Sequence, residues 1–202
     1  MLAEWSVELG ADDPRLEIPW ISEDKQLRFL DLKHQPELLL EVREACLYPE
    51  LAEFLSWASS AESRIETAKC DAWSSRQIDV EEEIFGEPCK FGSYVDLLFS
   101  DSSATTRFAD HESFVQALSR LLRHAPDLSS AAELIVRRCI DHRENAPTNA
   151  DCFYITFYLH GYGEDEPKAR QCWAIALKMV QHAMIQHWSI VQGRIRKKEI
   201  GH

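Results

Sequence analysis

The C-terminal part of the chain constrains the fold most strongly, because a strand pattern runs directly into a long helical pattern. Residues 151–163, DCFYITFYLHGYG, are rich in aromatic and β-branched side chains and end in two glycines, which is typical of a strand. Residues 166–198 then repeat apolar side chains at helical spacing. The stripe comprises Ala169, Cys172, Trp173, Ala176, Val180, Ala183, Met184, His187 and Val191. A helix with so broad a stripe must bury it, so we expect this helix to cover a sheet.

Shorter patterns complete the predicted architecture. We expect further strands at residues 26–33, 66–75 and 89–99. Helices are predicted at 35–46, 48–59, 110–126 and 130–141, and the last of these begins with a capping-box pattern, Ser130 with Glu133. Residues 143–150 are predicted to be a loop, and the glutamates at 81–83 a solvated helix or turn.

These elements predict one α+β domain spanning residues 1–202. We expect a small antiparallel sheet of three to five strands with helices on one face and a long C-terminal helix. Residues 1–35 form an irregular or short-stranded N-terminal arm in this prediction.

The second face of the predicted sheet is the candidate site. Side chains alternate between faces along a strand, so Val95, Leu97 and the row from Phe153 to Leu159 belong to the core, together with Ala68. The opposite row is expected to display Lys69, Asp71, Trp73, Tyr94, Asp96, Tyr154, Thr156, Tyr158 and His160. Lys69 is the expected cross-strand cation for Asp96.

Three uses of such an aromatic and polar face are open. The arm or the long helix could pack over it, a second copy of the chain could bind it as a homodimer, or a small-molecule or catalytic pocket could form there. The sequence does not choose among these three uses.

Charge and composition bear on the class of partner. The formal net charge is −12, which disfavours binding to nucleic acid and to anionic membrane surfaces. The N-terminal residues lack the pattern of a secretory signal, so we expect a cytoplasmic protein. The six cysteines contain no Cys-x-x-Cys pair, so we expect reduced thiols, and no cofactor is indicated.

Two familiar motifs begin in this chain and then fail. The segment GYGEDE from Gly161 lacks the third glycine of a dinucleotide fingerprint and places carboxylates where a pyrophosphate would sit. The segment DHESF from Asp110 has Val115 at the position of the second histidine of a zincin helix. Neither motif supports an activity.

We therefore expect a non-catalytic cytoplasmic interaction module, homodimeric or bound to another protein, that acts through the aromatic face or the long helix. The alternative is a metal-dependent hydrolase or phosphodiesterase that uses Asp71, Asp96 and His160, with Lys69 stabilising negative charge. In that alternative, the two carboxylates would bind magnesium or manganese.

Overall fold

The computed structural model of the protein describes residues 1–143 and 151–200, and for Ile84 and residues 192–200 only the backbone. The strands are β1 Leu2–Glu8, β2 Leu16–Ile18, β3 Ile65–Ser75, β4 Cys89–Phe99, β5 Ser130–Asp141 and β6 Cys152–Gly163. The α-helices are α1 Arg43–Leu47, α2 Pro49–Ala58, α3 Ser102–Thr105, α4 Phe108–Arg123 and α5 Glu166–Ile200. Two 3-10 helices span Pro36–Glu41 and Val80–Phe85. Most of the predicted loop at 143–150 lies outside the described residues.

One mixed six-stranded sheet organises the domain, with strand order β1-β5-β6-β4-β3. The pairs β5–β6, β6–β4 and β4–β3 are antiparallel, whereas β1 and β2 both run parallel to β5 along its other edge. The α+β class and the long C-terminal helix are thus correct. The sheet is larger than predicted, and it is not purely antiparallel.

The strand β5 explains the larger sheet, because residues 130–141 were predicted to be a helix. The capping-box pair Ser130 and Glu133 is a local signal, whereas Leu134, Ile135 and Val136 favour a strand. The decisive factor is tertiary. Strands lie on both sides of β5 and supply its backbone hydrogen bonds.

The N-terminal arm is short-stranded, one of the two forms predicted for it, but its strands lie elsewhere than expected. It contributes β1 and β2 to the sheet, while the strand predicted at 26–33 is absent and only an isolated bridge joins Ile21 to Arg28. Phe29 donates its backbone N–H to the carbonyl of Trp20, so this segment folds back on the arm itself. The alternation of apolar residues there reflects packing of a loop and not sheet pairing.

The helical layer covers one face of the sheet, as predicted. The stripe on α5 is buried as far as Met184, and Trp173 is completely enclosed, with its indole Nε1 donating to Ser93 Oγ at 2.8 Å. A β-carbon on Gly161 would lie 2.2 Å from the backbone nitrogen of Trp173. The glycine in the failed GYG motif therefore permits close packing between β6 and α5.

The two proline-led segments also form helices as predicted, since Pro36 and Pro49 occupy first-turn positions. The first of these segments is split between a 3-10 helix and α1. No helix in the described ranges is long and apolar enough to cross a lipid bilayer.

Candidate functional site

The side chains of the predicted face do lie on one side of the sheet, opposite the helical layer. Their register defines three neighbouring rows across the strands. One row is Ala131, His160, Gly92 and Trp73, and another is Glu4, Glu133, Tyr158, Tyr94 and Asp71. A third row continues with Ile135, Thr156, Asp96 and Lys69.

The N-terminal arm covers the end of this face that carries Tyr154. Ile18, Leu98 and Tyr154 belong to a small second core that also holds Cys139 and Cys152. Trp20 fastens the arm by donating its indole Nε1 to the carbonyl oxygen of a β3 residue, Ala68, at 2.7 Å. Packing by the arm, one of the three uses left open by the sequence, therefore accounts for this end of the face.

Ala68 itself corrects a detail of the predicted rows. A bulge between Thr67 and Lys69 shifts the register of β3, so Ala68 packs into the second core and not beneath the helices. Cys70 and Ala72 still pack against the main core. An extra residue of this kind cannot be recognised from alternation alone.

Asp96 lies at the boundary of the covered region and is only 5% exposed. It accepts a hydrogen bond from Thr156 Oγ1 at 2.7 Å, and Thr156 accepts one from Arg137 Nη1 at 2.9 Å. Arg137 Nε donates in turn to Glu8 Oε2 at 2.7 Å. This chain of contacts joins four strands and orients the Asp96 carboxylate.

Burial raises the pKa of Asp96 to about 6, although Thr156, Lys69 and Arg137 each act to lower it. Lys69 lies directly opposite Asp96 in the register, as predicted. Its ammonium group lies 5.3 Å from the ring centre of Trp20, where it is held by a cation–π contact. Asp96 is therefore a buried carboxylate supported mainly by Thr156.

The opposite end of the face is covered by the 3-10 helix Val80–Phe85. Phe85 stacks on Tyr162 with ring centres 4.1 Å apart, and the Tyr162 hydroxyl donates to Glu82 Oε1 at 2.8 Å. Lys90 Nζ contacts the other oxygen of Glu82 at 2.7 Å. The glutamate run lies on a short helix as predicted, but Glu82 anchors that helix to the sheet and is not simply solvated.

Between these two covers lies an open strip that we call the aromatic patch, formed by Trp73, Tyr94, Tyr158 and His160. All four side chains are half-buried. Ring centres are 5.9 Å apart for Trp73 and His160, 6.5 Å for Trp73 and Tyr94, and 5.8 Å for Tyr94 and Tyr158. A continuous aromatic surface thus extends over β3, β4 and β6.

Gly92 forms the floor of this patch. A β-carbon there would lie 2.7 Å from His160 Cδ2 and 2.9 Å from the Trp73 ring. Glycine is therefore required for the two rings to meet above β4. Burial also lowers the pKa of His160, which favours its neutral form near pH 7.

Sequence reasoning missed the acidic side of the patch. Glu133 lies opposite Tyr158 on β5, and Glu4 lies opposite Glu133 on β1. Both strands went unrecognised, so their outward-facing side chains were not assigned to the site. The alternation in LAEWSVE, residues 2–8, was the available signal for β1.

A cleft of about 350 Å³ adjoins the patch beyond the edge of β3. Its walls come from the arm at Trp20 and residues 27–32, from residues 41–44, and from β3 at residues 67–71. Tyr94 lines both this cleft and the aromatic patch. The cleft therefore extends the open surface with a recess large enough for a side chain.

The residues of the hydrolase alternative share one face but are separated along it. His160 pairs with Gly92, four residues from Asp96 on β4, a distance of about 13 Å at the rise of an extended strand. Asp71 is exposed, and its Oδ1 accepts from the N–H of Ala72 at 2.7 Å. Over residues 1–143 and 151–191, whose side chains the structure describes apart from Ile84, no three His, Cys, Asp or Glu side chains are grouped so that they could hold a metal ion.

Comparison with known proteins adds no assignment: no protein-family model, no curated protein and no solved structure matches this chain.

Proposed function

We propose that this protein is a non-catalytic interaction module that binds another protein through the aromatic patch. The observation that carries the proposal is the contrast within one sheet face. Two segments of the chain cover its ends, whereas Trp73, Tyr94, Tyr158 and His160 remain partly exposed between them. Contiguous exposed aromatic surface is typical of sites that bind proteins or ligands.

The composition of the patch favours a protein partner over a substrate. Tryptophan and tyrosine are enriched among the residues that dominate binding energy at protein interfaces. These rings also contact one another and are supported by Gly92, so little conformational freedom would be lost on binding. The cleft beside Tyr94 would receive a projecting side chain of the partner.

Self-association through the patch, expected as one option from the sequence, is the competing arrangement. It would bring the acidic side chains around the patch of one copy close to those of another, and the chain carries a formal net charge of −12. We therefore propose a different protein as the partner, in the cytoplasm, where widely spaced thiols stay reduced.

The test is site-specific photo-crosslinking in cells of the source organism. Benzoylphenylalanine would replace Tyr94 in one variant and Glu112, on α4 in the helical layer, in the matched control. We expect one discrete adduct from position 94 that excess unlabelled protein suppresses and that excess Trp73→Ala protein does not.

Three results would contradict the proposal. They are no adduct from position 94, an identical adduct from position 112, or equal suppression by the Trp73→Ala competitor. An adduct of twice the mass of the chain, together with a dimer in light scattering, would establish homodimerisation in place of a different partner.

A further inference from the structure

We propose that the partner binds the aromatic patch with a basic surface, and that an arginine or lysine side chain of the partner lies over Tyr94 and Tyr158. This inference rests on the proposed function and specifies the chemistry of the partner. It follows from which charges around the patch are free and which are already paired.

Three cations on the sheet around the patch are engaged within the protein. Arg137 contacts Glu8 at 2.7 Å and Thr156 at 2.9 Å. Lys90 contacts Glu82 at 2.7 Å and is nearly buried, with 11% of its side chain exposed. Lys69 lies over the Trp20 ring. These three cations are therefore poorly placed to receive an anionic partner.

The carboxylates in the row of the two tyrosines, in contrast, are exposed to solvent. The row reads Glu4, Glu133, Tyr158, Tyr94 and Asp71 across five strands. Glu133 and Asp71 are exposed, so the pair of phenol rings has a solvent-exposed carboxylate on each side. Glu133 and Asp71 are three strand spacings apart, about 14 Å. A partner surface with more than one cation therefore fits the row better than a single small cation.

Glu4 and Glu133 lie directly opposite one another on neighbouring strands, which is unfavourable for like charges. Partial desolvation, Glu8 and Glu4 all raise the pKa of Glu133, against the effect of Arg137. Arg137 hydrogen-bonds Tyr158 and lowers the pKa of Glu133, yet that pKa stays raised. A second cation over Tyr158 would relieve the repulsion further and would also gain a cation–π contact. The free protein thus keeps an unfavourable pair at the position where a basic partner would neutralise it.

Long-range electrostatics also favour a basic partner. A net charge of −12 attracts a basic protein and accelerates its association, and it repels acidic proteins and nucleic acids. The aromatic rings would then provide the short-range contacts that select one cationic surface among many.

The test uses a blocked hexa-arginine peptide as the probe, with hexa-glutamate as the charge control, and follows the full-length ¹⁵N-labelled protein by NMR at low salt. We expect hexa-arginine to shift the indole N–H signal of Trp73 and the backbone signals of Tyr94 and Tyr158. Glu133→Gln should weaken this binding about threefold to fivefold, as expected for one exposed ion pair. Tyr94→Leu should weaken it about twofold to fivefold through the lost cation–π contact.

Glu112→Gln on α4 is the matched control, because it removes the same charge from the helical layer. The inference is overturned if Glu112→Gln weakens binding as much as Glu133→Gln. It is also overturned if hexa-glutamate binds equally well, or if the shifts map to the glutamates at 81–83 and spare Trp73. These failures leave the proposed function intact, since crosslinking from position 94 is independent of the charge of the partner.

Discussion

Asp96 provides the sharpest test of the structure, because its burial makes a quantitative prediction about stability. The perturbation is Asp96→Asn, which keeps the shape of the side chain and an oxygen that accepts from Thr156 Oγ1. The substitution removes the charge and replaces the second carboxylate oxygen with an amide NH2 at a site that is 5% exposed. Any pH-dependent difference between the two proteins therefore reports on ionisation of Asp96.

The sign and size of the effect follow from the raised pKa. The ordinary value of 3.8 rises to about 6 in the folded protein, so the folded state binds more protons than the unfolded chain between these two values. The contribution of Asp96 to the free energy of unfolding therefore falls as the pH rises from 3.8 to about 6. The shift corresponds to a loss of about 3 kcal/mol above the window.

The assay is urea unfolding followed by tryptophan fluorescence at several pH values from 4 to 7. We expect Asp96→Asn to gain about 2.5 kcal/mol relative to the native protein between pH 4 and pH 7, because about 0.5 kcal/mol of the full effect is already lost at pH 4. Asp71→Asn is the control, because it removes an exposed carboxylate from the same face of the sheet. Two results would refute the reasoning. The first is a difference in unfolding free energy that stays constant across the range, and the second is a variant that becomes less stable than the native protein as the pH rises. The second result would show that Lys69 and Arg137 outweigh burial.

Three further substitutions test the packing that positions the patch. Gly161→Ala should destabilise the protein by at least about 1–3 kcal/mol in urea unfolding, because the new β-carbon would lie 2.2 Å from the Trp173 backbone nitrogen; a neutral effect would mean that α5 is packed more loosely. Ser93→Ala should cost about 1–3 kcal/mol by leaving the buried Trp173 indole N–H without its acceptor, and Ser93→Thr should retain more stability. Lys33→Met should lower the melting temperature, because Lys33 Nζ donates to three backbone carbonyls, including that of Ile65 at 3.1 Å. An unchanged melting temperature would show that water satisfies these carbonyls equally well when the ammonium group is absent.

The candidate site was only partly accessible to sequence reasoning. The alternation in β3, β4 and β6 placed Asp71, Asp96 and the tyrosines on one face, because side-chain direction is a local property of an extended chain. Whether that face is open could not be deduced, since it depends on the arm and on the 3-10 helix Val80–Phe85, which reach it from elsewhere in the sequence. The separation of His160 from Asp96 likewise appears only once the strands are aligned.

The sequence by itself determined the elements whose signals are local and long. The stripe on α5 and the aromatic β6 follow from periodicity repeated along 35 and 12 consecutive residues respectively. Tertiary structure decided that Ser130–Asp141 is a strand, because this segment carries both a helix-start motif and β-branched residues that favour a strand. Pairing with β1 and β6 selects the strand. The same long-range pairing aligned Glu133 with Tyr158. Register between distant strands depends on contacts that no local pattern encodes, so the acidic side of the patch emerged only from the folded sheet.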